Sequence, residues 1–134
     1  MENELDNIKF PIGKYKAILD FNFSRTVEDI KTLESFASDL RESVKGLDKT
    51  DFKKTYRDGG MNIAQIIHHF CDTHTYAFLR TKHTLLEENP SVKMYEVAEF
   101  LTTPDSNVLD VKDSLNVIEG IHAKWVSLLK TLSE

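Results

Sequence analysis

The sequence is poor in the residues that punctuate and staple chains: one cysteine, three prolines and five glycines among 134 residues. The lone Cys71 cannot close an internal disulfide, which fits a reducing compartment. So little glycine and proline starves any architecture of many strands and tight turns. No run approaches the roughly 20 apolar residues of a membrane span. The acidic start, Met1-Glu2-Asn3-Glu4, has no apolar stretch behind it to act as a leader. Positive charge is short too: 17 Lys and Arg against 22 Asp and Glu leave a formal charge of −5. That is not the electrostatic footprint of a phosphate-backbone binder. The rest is 40% apolar and 29% charged, the balance of a folded domain. The expectation is one cytoplasmic domain over 1–134 that binds neither nucleic acid nor membrane.

What the sequence does have is helical periodicity. Phe10-Pro11-Ile12-Gly13 predicts an extended lead-in. Ser24 or Thr26 then offers an N-cap. Val27, Ile30, Leu33, Phe36, Leu40 and Val44 recur every three or four residues, with Gly46 as a stop. This predicts a helix over 24–46. Residues 48–60 are polar and end in the turn signal Arg57-Asp58-Gly59-Gly60, with a short helical turn near Phe52 and Tyr56. Asn62 caps a second helix, predicted over 62–88 and ended by Asn89-Pro90. Tyr95 to Leu101 reads as a short helix in a crossing connection. Asp110 and Asp113 crowd the start of a third helix, predicted over 110–132. Its seam is Val111, Leu115, Ile118, His122, Trp125, Leu129 and Leu132. The fold class is all-α, a helical bundle.

Four of the five histidines, His68, His69, His74 and His83, lie on the second helix. At 100° per residue, His69, Thr73, Tyr76, Arg80 and His83 form one polar stripe bordering the apolar face. His74 falls inside the apolar arc, where a hydrogen-bonded core histidine is the simpler reading. His68 points to the opposite side, towards solvent. Adjacent histidines cannot both aim at one metal from a regular helix. No His-x-x-x-His or Cys-x-x-Cys occurs, so spacing alone does not support a metal site. Nor is there a phosphate loop at Gly59-Gly60 or a Gly-x-Ser-x-Gly turn. Cys71 and Trp125 read as core residues.

The strings Pro11-Ile12-Gly13-Lys14-Tyr15, Tyr56-Arg57-Asp58-Gly59-Gly60-Met61-Asn62, Gln65-Ile66-Ile67-His68-His69 and Asp72-Thr73-His74 resemble the YfiT branch of the DinB superfamily. The likeness continues through Arg80, Asn89-Pro90 and Tyr95, and again at His122, Trp125 and Leu129. The resemblance implies a four-helix bundle with a long crossing connection and a divalent metal, zinc or nickel, held by three histidines. It implies thiol S-transfer with bacillithiol in some members and metal-dependent hydrolysis in others. The second histidine of the pair, His69, matches the first ligand. Two departures stand out: Met61 replaces the usual Trp after the two glycines, and the family's His-x-x-x-His on a final helix has no counterpart before Glu134.

Two functional expectations follow. In the first, His69 holds a divalent metal that activates a thiol or water, and Tyr76 and Arg80 orient an anionic substrate. The partners are then a small thiol and an electrophilic small molecule. In the second, the domain is a non-catalytic bundle lacking the family's final helix, which associates as a homodimer through the groove this leaves.

Overall fold

The computed structural model describes residues 2–132; residues 1, 133 and 134 of the expected single domain lie outside them. Six α-helices follow in chain order: α1 (Glu2–Lys9), α2 (Phe23–Ser43), α3 (Lys49–Phe52), α4 (Ile63–Leu86), α5 (Val97–Phe100) and α6 (Lys112–Leu129). A 3-10 turn, Pro104–Asn107, precedes α6. Among the described residues no strand forms beyond one isolated bridge, Thr55 to Asn62. The all-α expectation holds.

The helix ends show which local chemistry decides a boundary. α2 starts before either expected cap, because Asn22 is extended and its side chain accepts from the Arg25 amide at 3.0 Å. α4 starts where expected. Asn62 accepts from the Gln65 amide at 2.8 Å while Gln65 accepts from the Asn62 amide at 3.0 Å, a reciprocal capping box. Asn62→Ala is therefore expected to cost about 1 kcal/mol, read as a shift in urea midpoint. α4 closes at Glu87, which is already extended three residues before Pro90. α6 begins after Asp110, whose carboxylate accepts from the Lys112 amide at 3.0 Å. It ends at Leu129 instead of 132, in turns closed by Thr131 and Leu132. α1 was not anticipated. The lead-in after it bends at Gly13, whose φ of +88° favours glycine.

The core is the seam between α4 and α6. Ala64 and Ile67 pack on Val111, Leu115 and Ile118, flanked by Phe36, Ala37, Leu40 and Val44 of α2 and by Phe52 of α3. Every stripe residue of α2 is only partly covered, and none is fully buried. Accessible surface totals 10096 Å², against about 7,200 Å² for a typical folded monomer of this mass. Much of the excess is apolar: Ile12, Tyr15, Leu19 and Phe21 on the lead-in are all exposed.

Candidate functional site

The four histidines of α4 go to four different neighbours. His68 is buried, contrary to the solvent-facing expectation. Its Nε2 donates to the Val108 carbonyl at 3.0 Å and its Nδ1 accepts from the Ser114 hydroxyl at 2.8 Å. A helical wheel cannot show that the chain leading into α6 folds over this face. His83 sits beside Glu87 at 2.6 Å on the exposed end of the helix.

His74 is a hydrogen-bonded core histidine. Its Nδ1 lies 2.7 Å from His122 Nε2, and His122 Nδ1 lies 2.7 Å from the Leu33 carbonyl. The carbonyl can only accept, so His122 carries its proton on Nδ1 and accepts from His74 on Nε2. The relay ties α4 to α6 and α6 to α2. Phe36 stacks on His122 at 5.0 Å, and Trp125 closes the group with its indole N–H donating to Thr81. Burial, then the neighbouring His122 and His69, push His74 down to about 4, so it is neutral at pH 7.

His69 stands apart from both, on the stripe that borders the core. Its Nδ1 lies 3.4 Å from the Tyr95 hydroxyl, and that hydroxyl donates to Asp72 Oδ2 at 3.5 Å. Its Nε2 makes no hydrogen bond to the described residues. Tyr95 arrives from the crossing connection, held by the rings of Phe100 at 4.5 Å and Tyr76 at 5.3 Å. Burial lowers His69 and raises Asp72; Asp105 on the 3-10 turn raises Asp72 further. Tyr95 is pushed up to about 12, mainly by burial and then by Asp72, so its proton stays on.

Of the expected substrate residues, Tyr76 joins this group through the Tyr95 ring. Arg80 lies further along α4, exposed, in a hollow of about 180 Å³ shared with Tyr76, His83 and Lys93. Cys71 is free and half-buried, and burial raises its thiol, as suits an inert core residue. Asp72 and Tyr95 were missed as site residues. Asp72 sits one helical turn after His69, a spacing that could have found it, whereas Tyr95 lies 26 residues away. On α6, Glu119 and His122 stand at Glu-x-x-His spacing, but Arg41 binds Glu119 at 2.8 Å on the surface while His122 turns inward.

This geometry can be set beside known proteins. The DinB superfamily model matches residues 32–134. The chain is 37% identical over 130 residues to a "putative metal-dependent hydrolase" of Geobacillus kaustophilus, covering 97% of this chain and 73% of that relative. It is 30% identical over 128 residues to YfiT of Bacillus subtilis, covering 96% and 72%. The chain belongs to the YfiT branch of the DinB superfamily. The solved structure of Bacillus subtilis YfiT superposes with a TM-score of 0.90 over 96% of this chain and 73% of that one. That protein is described as "a probable metal-dependent hydrolase with an unusual four-helix bundle topology".

Among the described residues, His69 keeps one ring nitrogen without a hydrogen-bond partner, while His68 has both engaged. Among the described residues, no group of three His, Cys, Asp or Glu side chains converges to hold an ion. None of the described helices is long and apolar enough to cross a membrane.

Proposed function

We propose that the chain acts in a metal-dependent reaction, thiol S-transfer or hydrolysis, with His69 as one ligand of zinc or nickel. The observation that carries this reading is the free Nε2 of His69, backed by Tyr95 and Asp72. Three protein ligands are usual for a catalytic zinc, and His69 is the one this reading assigns among the described residues. When bound, the ion supplies the acidity that brings a water or thiol into ionisation near neutral pH. The chain's own part is to orient the substrate. Arg80 and Lys93 face one small hollow beside Tyr76, which suits the anionic portion of a small thiol such as bacillithiol. The second substrate is an electrophilic small molecule, or water in the hydrolytic case.

A second reading has one observation in its favour. Leu19 and Phe21 are 92% and 75% exposed, and a non-catalytic module could cover such surface by forming a homodimer. The discriminating experiment measures thiol consumption and ester hydrolysis with zinc or nickel present, alongside sedimentation. The enzyme reading expects metal-dependent turnover that His69→Ala abolishes and a higher KM in Arg80→Ala. A stable dimer without metal-dependent turnover of either substrate would overturn it.

A further inference from the structure

The string Tyr56-Arg57-Asp58-Gly59-Gly60 plays no part in the chemistry proposed on α4, yet its side chains are closely fitted. The loop is pinned at both ends to the start of α4. Thr55 bridges to Asn62, and the Ile63 amide donates to the Lys54 carbonyl at 3.1 Å. Between them the Gly60 amide donates to the Arg57 carbonyl at 3.0 Å, closing a turn whose third residue, Gly59, has a φ of +66°. A Cβ on Gly60 would stand 2.9 Å from Tyr56 Cε1 and 3.0 Å from Arg57 Cγ. The glycine is needed there because both side chains fold back over it.

That folding fixes the Arg57 guanidinium. Its Cζ lies 5.2 Å from the centre of the Tyr56 ring, Nε donates to the Tyr56 hydroxyl at 3.1 Å and Nη1 donates to the Asp58 carbonyl at 3.1 Å. None of these partners is a carboxylate. Arg57 is half-buried, and among the described residues it forms no ion pair, whereas Arg41 is paired with Glu119 at 2.8 Å. A guanidinium has five N–H groups. Two are used within the loop, which leaves both on Nη2 and one on Nη1 without an acceptor there. A held guanidinium with its charge unpaired and its terminal nitrogens still able to donate suits an oxyanion.

We propose that Arg57, held by Tyr56 and by the turn at Gly60, is a binding site for the oxyanion of a small ligand, a carboxylate or a phosphate. The site depends neither on the metal reading nor on the hollow beside Arg80. Because the guanidinium is already held, little side-chain freedom is lost on binding. The chain as a whole, at a formal charge of −5, repels anions. Saturable anion binding therefore reports a local site, and a diffuse basic surface does not compete with it.

The test is NMR of the whole chain, following the Arg57 Nε–H signal and the backbone amides of residues 56–60. Sodium acetate and inorganic phosphate are titrated separately at constant ionic strength. Wild type is expected to show a saturable shift confined to this loop. Arg57→Lys keeps the charge but loses the fork, and is expected to bind about tenfold more weakly, read on the amides. Gly60→Ala displaces Tyr56 and Arg57 and is expected to weaken binding to a similar degree, with a urea melt showing that the fold persists. Lys53→Ala, which removes a neighbouring surface cation, should bind as wild type does. Tighter binding of acetate identifies the ligand group as a carboxylate, and tighter binding of phosphate identifies it as a phosphate. A linear, non-saturating response to both salts, or equal binding by Arg57→Lys and wild type, overturns the proposal. Undiminished binding in a folded Gly60→Ala removes the role given to the turn.

Discussion

His69→Ala should abolish zinc or nickel binding, while His68→Ala should leave it nearly unchanged. The difference rests on ring nitrogens. His68 has one nitrogen on the Val108 carbonyl and the other on Ser114, so it has nothing to offer an ion without giving up a buried hydrogen bond. His69 keeps Nε2 clear. Removing a direct ligand is expected to cost more than the roughly 10- to 100-fold seen when a ligand's supporting partner is removed. Affinity in the 134-residue chain is expected to be poor, with water filling open positions. The comparison is therefore best made in a form extended by a C-terminal helix that supplies two histidines four residues apart. His68→Ala carries a different penalty, about 1–3 kcal/mol of stability, from the loss of a buried side chain and its two hydrogen bonds. Isothermal titration and a urea melt on both variants separate the two effects. Equal loss of metal binding from both, or loss from His68→Ala alone, would show the assignment to be wrong.

The largest effect on stability is expected at His122, which is 2% exposed. Alanine there opens a cavity, removes the side-chain donor that the Leu33 carbonyl accepts from in addition to its helix partner, and leaves His74 without its acceptor. Those losses together are expected to cost about 3 kcal/mol or more and to lower Tm by about 10 °C. A melt within a degree or two of wild type would contradict the relay. The same group sets a pH dependence. His74 titrates near 4 in the fold but near its ordinary 6.5 in the unfolded chain. Between those values the unfolded chain binds more protons, so stability falls as pH drops from about 6.5 towards 4. His69, also lowered by burial, acts in the same direction, whereas the raised Asp72 opposes it. Urea midpoints at pH 7 and pH 5 should differ, and His74→Phe should flatten the difference.

The long helices were legible because their apolar stripes repeat over five or more turns, and Asn62 was legible as a cap because Gln65 stands three residues on. The burial of His68 was not, since what covers it is a loop 40 residues away whose path no periodicity encodes. The sequence placed His74 in the core but could not name its partner, because His122 lies on another helix. The site around His69 was half visible. The wheel put His69, Tyr76 and Arg80 on one stripe, but the residue that touches His69 from outside the helix, Tyr95, has no pattern to mark it. Contacts within a helix follow from spacing; contacts across a connection follow from topology.

The partial covering of α2 bears on how the molecule breathes. Local opening is cheapest where an element contributes little fully buried apolar surface. α2 contributes none, while α4 and α6 supply both walls of the central seam. Sub-global opening is therefore expected to begin with α2 lifting from the α4–α6 pair, read as faster amide exchange in α2 than in either of the other two. That motion breaks the His122 bond to the Leu33 carbonyl and wets the imidazole pair, placing His74 in solvent where its proton affinity returns to normal. Acidification is then expected to favour the open form, which would make the α2 seam the route by which protons reach the interior.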